Sequence, residues 1–195
     1  MVVSPGSLYN YVESKEALFH WIVEHAVGEE AVAPPASLPI RLPDPAESDR
    51  RLREQLEHAF HLPLFEAAFA RRRVGDARRE LEAVAHELYE RIGRNRRPMA
   101  MIERSALDLP DLFDVYFVSM RRAFFERFAR FVARRQAAGH YRADLDPVVA
   151  ARFFLESITY FARHRFGDAD PKLLPDDDRV RDEIVRRVVT SLVPD

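Results

Sequence analysis

The sequence predicts an all-α protein, and three observations carry that expectation. Large apolar residues recur at intervals of three and four rather than two. Helix start and stop signals punctuate the chain about one helix length apart. No segment shows the strict alternation of a half-buried strand. The chain has 195 residues, 47% hydrophobic and 32% charged, which suits a globular bundle with a well-buried core.

The elements follow in order. Ser4-Pro5-Gly6-Ser7 reads as a helix start, with Ser4 as cap and Pro5 in the first turn of a short helix running through Leu8, Tyr9, Asn10 and Tyr11. Ser14-Lys15-Glu16-Ala17 is a second start, opening a helix with Leu18, Trp21, Ile22 and His25 near one face. So short a helix followed at once by a longer one must lean on another part of the chain. Five of the 13 prolines then fall between Pro34 and Pro45. Proline lacks the amide a helix needs, so this stretch reads as a linker. The chain thus divides into residues 1–30, a Pro-rich linker over 31–45, and a helical piece over 46–195.

In that piece Asp44, Pro45 and Glu47 form a capping box, and the helix they open runs toward Arg73 with a kink or break at Pro63. Gly75 stops it and Asp76 caps the next, which ends before Pro98. Met99 to Leu109 reads as a short connection to Pro110. Phe113, Phe117, Met120, Phe124, Phe128 and Phe131 then fall 4, 3, 4, 4 and 3 apart, which places six large groups on one helical face. Gly139 ends that helix. Asp146-Pro147 opens another through Phe161, with Phe154, Ile158 and Phe161 on one face. The acidic run at Asp176 caps a last helix carrying Val180, Ile184, Val185, Val188, Val189 and Leu192.

Composition removes several classes of function. There is no cysteine, so disulfides, thiolate metal sites and cysteine nucleophiles are excluded. The formal net charge is -2, so any attraction to nucleic acid must come from a local motif. No apolar run reaches membrane-spanning length and no leader pattern is visible, so the expected location is cytoplasmic, with no membrane partner. His58 and His61 stand three apart and His86 follows Glu82 by four, but the repeated Glu-x-x-His pairs of a helical metal site are missing. These read as ordinary polar histidines. The clusters Arg71 to Arg73 and Arg94 to Arg97 fall at helix C-terminal ends, where they complement the dipole. No nucleophile, base and acid stand together. No catalytic residue, metal or cofactor is expected, and the protein reads as a non-enzyme.

Residues 3–18, Val-Ser-Pro-Gly-Ser-Leu-Tyr-Asn-Tyr-Val-Glu-Ser-Lys-Glu-Ala-Leu, closely resemble the end of the helix-turn-helix of TetR-family transcriptional regulators. The match is dense and contiguous. The remainder is similar to that family in outline: all-α, a Gly139 stop, then Asp144-Leu145-Asp146-Pro147 leading into Ala150-Ala151. The resemblance implies a DNA-binding, homodimeric regulator, a repressor by expectation, that leaves operator DNA when a small molecule binds. Ser4 to Tyr11 would be the recognition helix, with Pro5, Gly6 and Ser7 reaching base edges and Asn10 a base or a phosphate. Tyr9 and Tyr11 would bond phosphates, and Lys15 would pair with one at the next helix start. The family's first two helices are missing before Met1, so an N-terminally truncated remnant of the DNA-binding domain is expected. One lysine stands against five glutamates in the first 30 residues, a net -4 that repels phosphate.

The resemblance further implies a C-terminal ligand-binding and dimerisation domain enclosing an apolar cavity for a small hydrophobic or aromatic effector. Phe60, Phe65, Phe69, Tyr116 and Phe117 are candidates for its lining. Pairing would use the exposed apolar faces of the last two helices, about 147–166 and 179–193, so Val188→Asp should break the dimer. The rival expectation is a stand-alone helical dimeric sensor or interaction protein that binds a small molecule without touching DNA.

Overall fold

A computed structural model describes residues 9–26, 35–42, 44–167 and 175–194. In chain order the helices are α1 (Lys15–Ala26), α2 (Pro45–Ala59), α3 (Pro63–Ala70), α4 (Ala77–Arg94), α5 (Arg96–Ser105) and a single turn α6 (Pro110–Phe113). A π-helix (Asp114–Arg121) leads into α7 (Arg122–Ala137), followed by α8 (Pro147–Ala162), a 3-10 turn (His164–Gly167) and α9 (Asp177–Leu192). The fold is all-α. Among the described residues there is no strand, only an isolated parallel bridge between Val12 and Ile40. No helix of these residues is long and apolar enough to cross a membrane.

The chain forms two compact units, one of residues 1–61 with 97–116 and one of 62–96 with 117–195. In the first, Ser14 starts α1: its hydroxyl oxygen accepts from the Ala17 amide at 3.0 Å. Asp44 starts α2 in the same way, accepting from the Glu47 amide at 3.3 Å. Helices α1 and α2 pack together. Among the described side chains of α1, Ala17 and Phe19 are buried, while Leu18, Trp21 and Ile22 are half-buried. The small Ala17 lets a neighbour approach the backbone, so the buried face is turned from the one that large residues alone suggest. Within the Pro-rich segment, the Ile40 amide donates to the Tyr11 carbonyl (2.8 Å) and its carbonyl accepts from the Glu13 amide (2.9 Å). Residues 99–109, expected as a short connection, are largely helical in α5. Pro98 sits in the first turn of that helix, where a missing amide costs nothing.

The second unit holds the aromatic core. Phe65, Phe128, Phe131 and Phe154 are wholly buried. Phe65, on α3, meets Phe124, Phe128 and Phe131 with ring centroids 5.5, 5.5 and 5.7 Å away. Phe128 stacks on Phe154 at 4.9 Å, joining α7 to α8. Each such ring buries roughly 150 Å² or more, which makes this cluster the main apolar term of the unit. The six-residue stripe does not stay on one face. Phe128 and Phe131 lie deepest, while Phe113 is 41% exposed. The π-helix bonds i to i+5 and adds a residue per turn, so spacing of three and four drifts off line across it.

Polar groups in this unit tie helix ends. Arg135 and Glu80 are both buried, with the Arg135 Nε 2.9 Å from a Glu80 carboxylate oxygen. The same guanidinium donates to the carbonyls of Ala68 (2.8 Å) and Arg71 (3.3 Å) at the end of α3. At the end of α7, Gly139 takes a left-handed φ of 75°. The His140 amide bonds the Arg135 carbonyl and the Gly139 amide bonds that of Gln136, a Schellman stop. Asp146 and Asp176 cap α8 and α9 through their carboxylates. Helix α3 begins at Pro63, as the break expected there requires.

The last helix differs from expectation. Val180, Ile184, Val185, Val188, Val189 and Leu192 are all buried inside this one chain, with Val188 1% exposed. Helix α9 spends its apolar side on α8 and α4. The exposed apolar residues of the last two helices lie on α8 instead: Val148, Val149, Phe153 and Tyr160. A sequence shows that a face is apolar but not which neighbour covers it, and here α4 claims the face assigned to a second subunit.

Candidate functional site

The N-terminal motif lies in the first unit. Of its expected DNA-contacting residues, Ser4, Pro5, Gly6 and Ser7 lie outside the described residues. Tyr9, Asn10 and Tyr11 form a turn rather than a helix, and all three side chains are exposed, Tyr9 by 60% and Tyr11 by 52%. Val12, next in line, is 2% exposed and anchors the turn through its bridge to Ile40. The Glu13 carboxylate accepts from the Leu42 amide at 3.1 Å. The chain just before α1 is thus pinned from behind, while its two tyrosines point away from the packed side.

Lys15 stands exposed in the first turn of α1, its ammonium 3.8 Å from the Asp108 carboxylate. Glu16, also in that turn, titrates below the ordinary carboxylate range because backbone and Ser14 hydrogen bonds hold its charged form. An anion approaching this helix start therefore meets one lysine, already paired, and the carboxylates of Glu13, Glu16 and Asp108.

The five candidate lining residues are divided between the two units. Phe60 and Tyr116 belong to the first unit, where Tyr116 is buried and its hydroxyl donates to Glu103 at 3.3 Å. Phe65, Phe69 and Phe117 belong to the second. Phe65 is sealed in the core, Phe69 is half-buried beneath the guanidinium groups of Arg127 and Arg134, and Arg121 lies 6.0 Å from the Phe117 ring. Among the described residues no group of three or more His, Asp or Glu is arranged to hold a metal.

A cleft of about 330 Å³ opens in the second unit, between the start of α3 and one side of α4. Leu64 forms one wall and is half exposed. Ala83, His86, Glu87, Glu90, Arg91 and Arg94 form the other, spaced so that they share a face of α4. The Glu87 carboxylate accepts from the amides of Leu64 (2.8 Å) and Phe65 (3.0 Å). It caps α3, whose own N-cap residue, Leu62, has no side chain able to do so. Glu90 pairs with Arg94 at 3.3 Å.

Sequence reasoning missed this cleft. The spacing of the α4 residues was legible, but it reads equally as a solvated helix face. What makes the cleft is the start of α3 lying against Glu87, a contact between residues 22 and 23 positions apart. Comparison with known proteins identifies no relative: no family model, no curated protein and no solved structure matches the chain.

Proposed function

We propose that the chain belongs to a TetR-like transcriptional regulator that binds operator DNA as a homodimer and is released by a small molecule. The observation that carries this reading is the pair of exposed tyrosines, Tyr9 and Tyr11, on a turn held by Val12 and followed at once by α1 with Lys15 in its first turn. Two hydroxyl donors beside the amides of a helix start suit contact with a phosphate backbone. The density of the motif over residues 3–18 supports the same reading. Pairing is assigned to α8, where Val149, Phe153 and Tyr160 recur four and seven residues apart on an exposed face.

The test is selection of bound duplexes from random-sequence DNA by the complete reading frame that contains this chain. The expected result is enrichment of sites with two inverted halves, with Tyr11→Phe and Lys15→Gln each weakening binding across sequences and Lys15→Gln also lowering its salt dependence. Absence of enrichment overturns the DNA reading. It leaves the second reading, a helical dimeric sensor without DNA binding, which the acidic surroundings of Lys15 favour.

A further inference from the structure

We propose that the cleft between α3 and α4 binds a small organic monoanion, a carboxylate with a short apolar tail. The argument begins with the charges lining it. Two carboxylates are present and both are engaged. Glu87 is held by the two α3 amides, whose partial positive charge at the helix start offsets its own. Glu90 is held by Arg94. Arg91 is left: it is half-buried in the cleft, and among the described residues no carboxylate or carbonyl receives its guanidinium. His86, also half-buried there, likewise has no hydrogen-bond partner among them. A half-buried guanidinium without a counter-ion, facing an open cleft, is matched by a carboxylate that takes two parallel N–H bonds.

The remaining walls select the rest of the ligand. Leu64 and Ala83 supply an apolar surface next to Arg91. A short hydrocarbon or a single ring covers it, and the volume of about 330 Å³ sits at the small end of ligand pockets. Glu87 and Glu90 flank the site, so a second negative charge, as on a phosphate dianion, is repelled. The aromatic core is no competing site: Phe65, Phe128, Phe131 and Phe154 have no exposed surface and lie in mutual contact. The inference concerns ligand binding alone and does not depend on the DNA reading.

The experiment is calorimetric titration of the chain with butyrate and benzoate, using butyramide and benzamide as neutral partners of the same shape. The expected result is saturable binding of the acids, with the amides at least about tenfold weaker. Arg91→Gln should lose binding of both acids by about tenfold or more while circular dichroism stays unchanged, because among the described residues its guanidinium holds no other group. Leu64→Ser should weaken binding of both benzoate and butyrate. Equal binding of acid and amide, full affinity in Arg91→Gln, or no saturable binding up to the solubility of benzoate would each overturn the assignment.

Discussion

The two units of the chain are stabilised in different ways. The second is built around four wholly buried phenylalanines, a buried Arg135–Glu80 pair and a last helix whose apolar side is fully covered. The described buried residues of the first include Val12, Ala17, Phe19, Leu56, Ile102 and Leu112, and no ring among them is wholly buried. Its local geometry rests on caps and backbone bonds: Ser14, Asp44 and the bridge at Ile40. Area drives the second unit and hydrogen bonding shapes the first. Since burial contributes roughly 25 cal/mol per Å² and a single hydrogen bond about 1 kcal/mol net, the second unit should dominate stability.

The largest expected effect breaks the second unit at its last helix. Val188→Asp places a charge where no partner or water reaches, and the loss should exceed about 4 kcal/mol, read as absence of a cooperative thermal transition. Phe153→Asp, on the exposed side of α8, should leave that transition in place and shift the light-scattering mass from two chains toward one. A folded Val188→Asp monomer would instead restore α9 as the pairing surface.

A second test uses alkali. Burial pushes the Tyr141 hydroxyl well above the usual tyrosine range, with nearby Glu80 adding to it, and burial with the Asp177 bond does the same for Tyr89. Raised folded-state values mean that both groups stay neutral in the fold while the unfolded chain ionises near 10. Their contribution is therefore intact below pH 10 and is lost as pH rises beyond it. Absorbance at the phenolate band should show a late, cooperative step coinciding with loss of helix, and Tyr141→Phe with Tyr89→Phe should remove it. Early, non-cooperative ionisation of both would show the second unit to be looser than its buried rings indicate.

The smallest effect belongs to the first unit. Ser14→Ala removes the α1 cap and should cost about 1 kcal/mol, visible as faster amide exchange in α1 with α7 to α9 unaffected. Equal loss of protection in both units would mean that they unfold as one, and the comparison would fail.

Much of the fold was legible in the chain because its signals are local. Asp76, Asp146 and Asp176 cap the helices they were expected to cap, each reaching an amide two or three residues on. Gly139 and Pro63 end and split helices for reasons contained in one residue. The stripe from Phe113 to Phe131 was legible only in part, since a π-helix has no simple signature in residue spacing. Of the candidate site, the motif put forward Tyr9 and Tyr11 as phosphate contacts, and their exposure is read from the structure. The α3–α4 cleft did not, because Glu87 looks like any solvated glutamate until Leu64 and Phe65 present their amides to it.

By itself, then, the order of residues determined where helices start, where they stop and which side of each is greasy, since those depend on neighbours within a turn or two. Tertiary packing alone decided what covers each greasy side. It turned α9 inward, left one side of α8 facing out and set in a cleft an arginine that has no partner among the described residues. Those outcomes compare contacts between distant segments, and the energy of such a contact exists only once both are in place.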